Sequence, residues 1–396
     1  MPGPEILEKT LFLEELLCSK EYGILSSPEM LPTIQELSWL SIYFTAFPKG
    51  SSLHNHAFGV GVSRNPQQAK LKALCEGIER WAVFSPPPTI RSRRMSLVQM
   101  MNSGDRCISP ARWNFAGASQ QTENILWTQS IQHKKSPPPT WCPYSLCETH
   151  SSGFACHDDL EKATAHAFWE LVERDHFLDH WWRRRPFQRI DKNTLPPCLQ
   201  QELLFYLGAL YPFIDFYYET DRATGLHSIF TRWRYQGSRG PAFLIGGACR
   251  PHPEDSLWSG LLEVLANLNV LLLQEQIPTP MTSHNFQNLI QTPVDRIQFY
   301  RLEENAKITD FYFENPVEFS WDQLASGAPS WDFQKIFCLN MTPDFAKAGG
   351  CFVTRILSPD LIPMDGAHSR LPRYHPRLNN KDIPPDSLQD YPHPYP

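Results

Sequence analysis

Two short blocks carry the side chains best suited to chemistry. Glu76-Gly77-Ile78-Glu79-Arg80 and Glu170-Leu171-Val172-Glu173-Arg174 share the pattern Glu-x-x-Glu-Arg. On a helix, positions three and four apart lie on one face. Glu76, Glu79 and Arg80 therefore form one stripe with Lys72, and Glu170, Glu173 and Arg174 form another with His166. Leu74, Ile78 and Trp81 in the first block, and Phe168, Trp169, Leu171 and Val172 in the second, are apolar enough to bury both helices. Carboxylates on buried helices need partners, because an unpaired buried charge is costly. A single block would be an ordinary helical charge pattern, each glutamate paired with an arginine. With Glu263 on a third helix, however, five glutamates face two arginines, and the surplus negative charge calls for a divalent cation. Oxygen-only ligands favour magnesium, which keeps some waters and takes further ligands from substrate phosphates. Arginines beside it would grip phosphate oxygens. The pattern thus predicts a nucleotide–magnesium site built from carboxylates. It is no P-loop, since Gly-x-x-x-x-Gly-Lys-Ser/Thr is absent, and Gly59-Val60-Gly61 is no dinucleotide fingerprint, since Arg64 holds the third glycine position.

The elements that must position these groups repeat along the chain. Residues 59–80 align without a gap on residues 153–174, at an offset of 94, with Gly59, Ala69, Ala73, Glu76, Glu79 and Arg80 each identical to its counterpart. Residues 246–267 align with the second copy at an offset of 93, matching at Gly246, Ala248, Cys249, Glu254 and Glu263. In every copy the glycine precedes a glutamate by 17 residues. Apolar residues lead into the first and third glycines, which predicts a strand entering a turn, whereas polar Ser151-Ser152 precede the second. Asn65-Pro66 and Asp158-Asp159 are helix-start signals. The predicted helices run over 69–84, 163–182 and 256–274. Ala69 and Ala73, four apart, would let a helix lie close to a neighbour.

Around this centre the composition is that of a globular protein, with 41% hydrophobic and 20% charged residues in 396. A net charge of −6 and a pI near 6.2 argue against a dedicated nucleic-acid binder. Arg183-Arg184-Arg185 is expected to be a solvated helix end. The acidic N-terminus has no signal-peptide pattern, and no stretch of about 18 uncharged apolar residues predicts a membrane span. Ten dispersed cysteines suit reduced thiols and a cytoplasmic location. Cys142, Cys147, His150, Cys156 and His157 are metal-ligand types, yet they lack the Cys-x-x-Cys pair usual for zinc. His54 and His56 are expected to be satisfied polar groups near the first turn. The 36 prolines cluster at 86–88, at 137–139 and in the tail. Pro392, Pro394 and Pro396 alternate, which forbids helix and suits an extended arm.

These motifs resemble the YcaO superfamily. The family pattern of a glycine turn, then Ala-x-x-x-Ala-x-x-Glu-x-x-Glu-Arg, stands here as Ala69 to Arg80. Its second block stands as Ser151-Ser152-Gly153-Phe154-Ala155, Glu161-Lys162-Ala163 and Glu170 to Asp175. Trp181-Trp182, the Glu263 helix, Met341 to Asp344 and residues 353–363 also fit, and the resemblance spans residues 50–396. The chain departs from it at Lys72, where the family often has serine, at Ser152, where it often has asparagine, and at Ser259, where a basic residue is common. Lys72 either contacts phosphate or pairs with Glu76.

The resemblance implies an α/β (α+β) fold in which repeated strand–turn–helix units surround one ATP/magnesium site. It implies that Glu76, Glu79, Glu170 and Glu173 hold magnesium, and that Lys72, Arg80, Ser152, Arg174 and Glu263 join them around ATP. It implies an azoline-forming cyclodehydratase of the D-protein type, acting on Cys, Ser or Thr of a ribosomally made precursor peptide. Members of that type often end in alternating prolines that thread to the active site, so Pro392, Pro394 and Pro396 are expected there, with a free carboxylate at the end of the arm. The expected division is a lead-in segment 1–45, a catalytic domain 46–380 and the tail 381–396. The lead-in is short for a peptide-binding module, so a ubiquitin-activating-like partner that presents the leader peptide is expected, in a homodimer or hetero-complex. Thioamide or amidine formation is the alternative chemistry, and a non-catalytic ATP-binding scaffold is the alternative from another class.

Overall fold

The structure is a computed structural model. It describes residues 4–19, 23–48, 58–85, 92–96, 122–130, 140–143, 152–221, 225–237, 240–274, 293–314, 316–324, 336–358, 360–362 and 391–395, with a few isolated positions between them. His54, His56, Cys147, His150 and Pro396 lie outside these residues.

Three sheets and three long helices build the site, in an α+β fold. The first sheet is antiparallel in the order β1 (Glu29–Met30), β2 (Ser41–Ala46), β3 (Phe58–Ser63). The second joins β4 (Ser92–Ser96), β5 (Thr122–Ser130), β13 (Phe337–Asn340), β14 (Phe352–Leu357) and β7 (Phe154–His157) in that order, with β6 (Thr140–Pro143) also paired to β5. The third runs β11 (Phe243–Arg250), β10 (Leu226–Arg234), β9 (Ile214–Asp221), β8 (Gln188–Ile190), β12 (Val317–Phe319), and only its last pair is parallel.

The predicted repeat is visible as three strand–helix units. After the N-terminal helix α1 (Pro4–Leu17), β3 feeds α2 (Pro66–Phe84) and β7 feeds α3 (Leu160–Arg183); then, beyond α4 (Pro197–Leu207), β11 feeds α5 (Pro253–Leu273). Each long helix starts one turn earlier than its alanine-rich face suggests. Pro66 and Pro253 occupy first-turn positions where a missing N–H costs nothing. The Asn65 side chain accepts from the amides of Gln67 and Gln68, and Asp159 accepts from Lys162 N at 2.8 Å. Helix α3 ends at Arg184, whose φ of 53° is the left-handed conformation that stops a helix.

Close packing fixes the carboxylates in place. A Cβ on Gly61 would lie 1.7 Å from the Ala69 carbonyl oxygen, so only glycine lets β3 approach α2 this closely. Gly153 has a φ of 74°, and the turn into β7 requires it. Helix α3 is central: it packs on β7 and β14 on one side and on β10 and β11 on the other. The described residues of 4–45 share this body. Leu13 and Leu17 of α1 join Leu74 and Ile78 in one core, and β2 pairs with β3 along its length.

Helix α5 is, among the described residues, the one long and apolar enough to cross a membrane by composition. It carries Glu263, and Leu257, Leu261, Val264, Leu265 and Leu268 are fully buried against the third sheet, as in a core helix.

Candidate functional site

The Glu-x-x-Glu spacing has a structural meaning that the sequence did not disclose. The first glutamate of each helix turns back to its own strand. Glu76 Oε2 accepts from Val60 N at 2.8 Å, Glu170 Oε2 from Gly153 N at 2.7 Å, and Glu263 Oε2 from Gly247 N at 3.0 Å. The second glutamate crosses to the next unit. Glu79 Oε1 accepts from Cys156 N in β7 at 2.6 Å, and Glu173 Oε2 accepts from Cys249 N in β11 at 3.2 Å. The third helix has Ala266 at the corresponding position and makes no such crossing. Lys72 sits instead at that edge of the first unit, its Nζ donating to the Val62 carbonyl at 3.1 Å. Of the two partners open to Lys72 in the sequence, Glu76 is the one it does not take.

The arginines neutralise only part of the cluster. Arg80 pairs with Glu76 Oε1 at 2.7 Å, and Arg174 pairs with Glu170 Oε1 at 2.7 Å while also donating to the Ser152 hydroxyl. Glu79, Glu173 and Glu263 form no ion pair among the described residues and accept only from backbone amides and, for Glu173, from the Tyr395 hydroxyl. Burial first, then the Glu76 charge, pushes Glu79 up to about 8. Burial pushes Glu173 up to about 7, against the pull of Arg250, and burial followed by the Glu173 charge pushes Glu263 up to about 8. Surplus buried carboxylate of this kind fits a divalent cation, which favours the ionised form. The described carboxylates do not close into a compact all-protein cage. That suits magnesium, which completes its shell with water and phosphate oxygens.

Beside the carboxylates a cavity of about 990 Å³ opens between the N-termini of α2 and α5, and its lining includes Lys72, His166, Trp169, Arg250 and Trp258. Its charge is opposite. Lys72 is held below its usual value first by desolvation and then by Arg250. Burial, then Arg250, drives His166 down to about 3, so its imidazole is neutral. Two cations sharing one wall fit a polyanion such as a triphosphate. Two aromatic faces flank them, with Arg250 over Trp169 at 5.7 Å and Arg64 over Trp258 at 4.4 Å.

The tail packs against α3. Trp181 Nε1 donates to the Tyr391 carbonyl at 3.3 Å, Tyr300 donates to the Pro392 carbonyl, and Arg296 Nε donates to the Tyr395 carbonyl at 3.0 Å. Pro392 and Pro394 are buried, and the fully buried Tyr395 hydroxyl donates to Glu173 Oε1 at 2.6 Å. A Cβ on Gly247 would sit 2.8 Å from that hydroxyl, so the glycine makes room for it.

The structure thus gathers Lys72, Glu76, Glu79, Arg80, Ser152, Glu170, Glu173, Arg174 and Glu263 around one zone, with Pro392 and Pro394 beside it. Sequence reasoning missed Arg250, Trp169 and Tyr395. Arg250 had a signal, since the repeat places Ser63, His157 and Arg250 at equivalent strand ends four residues after each glycine. Tyr395 had only its place between two prolines.

Comparison with known proteins follows the same lines. A family model described as YcaO cyclodehydratase, ATP- and Mg2+-binding, matches residues 60–362. No curated protein has a matching sequence. A solved heterocyclase in complex with substrate and cofactor superposes with a TM-score of 0.69 at 16% identity, over 98% of this chain and 57% of that one. The chain therefore spans little more than half the length of that structure. YcaO from Methanopyrus kandleri, bound with AMPPCP and Mg2+, gives 0.60 at 15% identity over 86% and 88% of the two chains. The E. coli microcin synthetase McbBCD complex gives 0.57 at 14% identity over 92% and 96%. At such identities the likeness is one of fold.

Proposed function

The chain belongs to the YcaO family of ATP- and Mg2+-binding cyclodehydratases, and from that premise we propose that it forms azoline rings in a ribosomally made precursor peptide, as a D-protein type enzyme. The observation that carries the reading is the meeting of three surplus buried carboxylates, one from each of α2, α3 and α5, with a cationic cavity and an inserted tail.

When bound, ATP supplies the phosphoryl group that makes an amide oxygen a leaving group, and magnesium offsets the charge gathered there. Lys72 and Arg250 would hold phosphate oxygens against the cavity wall, and Trp169 and Trp258, which line the same cavity, would flank the base. Glu76, Glu79, Glu170 and Glu173 would take the cation, with Arg80 and Arg174 holding Glu76 and Glu170 in position. In the reaction the Cys, Ser or Thr side chain loses its proton and adds to the preceding carbonyl carbon. That oxygen departs with the phosphoryl group, and loss of the amide proton leaves a C=N bond. The Tyr395 hydroxyl, donating to Glu173 Oε1 at 2.6 Å, would hold that carboxylate in position for the cation. The tail through Pro392, Pro394 and Pro396 closes the site and positions the attacking side chain. A ubiquitin-activating-like partner would present the leader in a hetero-complex.

The experiment is mass spectrometry of candidate precursor peptides with ATP and magnesium, with and without the partner. Loss of one water's mass per ring, together with phosphate release, is the expected result. ATP turnover with an unchanged peptide mass would contradict it.

A further inference from the structure

The densest group of metal-ligating atoms among the described residues lies outside the carboxylates. The Sγ atoms of Cys75, Cys156 and Cys351 all fall within 4.8 Å of one another. They come from three elements: α2, β7, and the turn entering β14. Cys351 is fully buried, whereas Cys75 and Cys156 are partly exposed, and all three are free thiols. The backbone holds them there. Val353 pairs with Cys156 across β14 and β7, and Cys351 N donates to the Ala346 carbonyl at 2.8 Å.

We propose that Cys75, Cys156 and Cys351 form a zinc site, distinct from the nucleotide–magnesium centre. Three thiolates converging from separate elements match the soft ligand set that zinc prefers and magnesium rejects. Three protein thiolates leave the fourth tetrahedral position to water or a small solute ligand. Three thiolates with one divalent cation carry one net negative charge. Lys9 stands beside it, its Nζ donating to the carbonyl of Gly350, the residue before Cys351.

The site has a consequence for its neighbour. Cys75 lies one helical turn before Glu79, and the amide of Cys156 is the donor that holds Glu79 Oε1 at 2.6 Å. Zinc would tie α2 to β7 at the level where the first unit's carboxylate crosses to the second. It therefore acts as a positioning clamp and not as a reacting group.

The test uses the full chain purified without chelator under reducing conditions. Elemental analysis is expected to find about one zinc per chain, which excess magnesium does not displace. Cobalt added to the metal-stripped protein should give thiolate-to-metal charge transfer and the visible bands of a tetrahedral site, a readout that needs no variant. Cys351→Ser should weaken zinc by more than about 100-fold, beyond what losing an outer partner costs, while Cys198→Ser, at an exposed cysteine elsewhere, should leave it unchanged. Absence of zinc and of a cobalt–thiolate band would overturn the proposal. An intact mass two hydrogens light in protein that binds no metal would overturn it in favour of a disulfide.

Discussion

Binding of a magnesium-saturated nucleotide is expected to expel protons, and the number follows from the buried carboxylates. Glu79 and Glu263 are pushed up to about 8 and Glu173 to about 7, all from an ordinary 4.5. At pH 7 the first two are then roughly nine-tenths protonated and the third about half. A magnesium nucleotide that requires all three ionised would release about two protons at pH 7 and only about 0.2 at pH 9. The sign for stability is the reverse of a salt-bridged carboxylate. Because folding raises these pKa values, their contribution is fully present below about 4.5 and is lost as pH rises through 7 to 8. The ligand-free protein should therefore melt lower at pH 8 than at pH 5.5 as far as these groups decide it, and magnesium nucleotide should restore more at the higher pH. Calorimetry in buffers of different ionisation enthalpy counts the protons directly. Glu79→Gln should remove about one of them. Binding at pH 7 with no buffer dependence would refute the assignment of surplus buried charge to the metal site.

Four further outcomes follow from the same geometry. Glu76→Gln, Glu170→Gln and Glu173→Gln should each lower ATP turnover roughly 100- to 1,000-fold, as loss of a preorganised electrostatic contact does, while circular dichroism shows the fold retained. Tyr395→Phe removes a charge-assisted hydrogen bond of about 1.5–3 kcal/mol, so ring formation should fall about tenfold or more, with Glu173 titrating higher in the pH profile. Deleting Pro392 to Pro396 should abolish ring formation, and calorimetry should find most ATP affinity still present. Asn65→Ala removes the double cap of α2 and should cost about 1 kcal/mol by denaturant melt.

The repeat made much of this centre legible. Identical glycines and glutamates at matched spacing reveal three equivalent units, because each helix must reach the same distance back to its own strand. Asn65 and Asp159 mark helix starts because capping is a local interaction. What the sequence hid is long-range. Nothing near Glu79 says that its carboxylate meets Cys156, 77 residues away. Nearness in sequence grouped Cys156 with Cys142 and His157, whereas the packing of α2 on β7 and the pairing of β14 with β7 deliver it to Cys75 and Cys351. The tail's prolines announced an extended arm, but the group that touches Glu173 is the tyrosine between them.

The central claim is that ATP activates a backbone amide oxygen, and an isotope experiment tests it most directly. A precursor peptide carrying heavy oxygen at the reacting carbonyl, cyclised with ATP, magnesium and the partner, should transfer that isotope to inorganic phosphate, one label per ring. Label found in water, or retained in the peptide while ATP is consumed, would contradict the account.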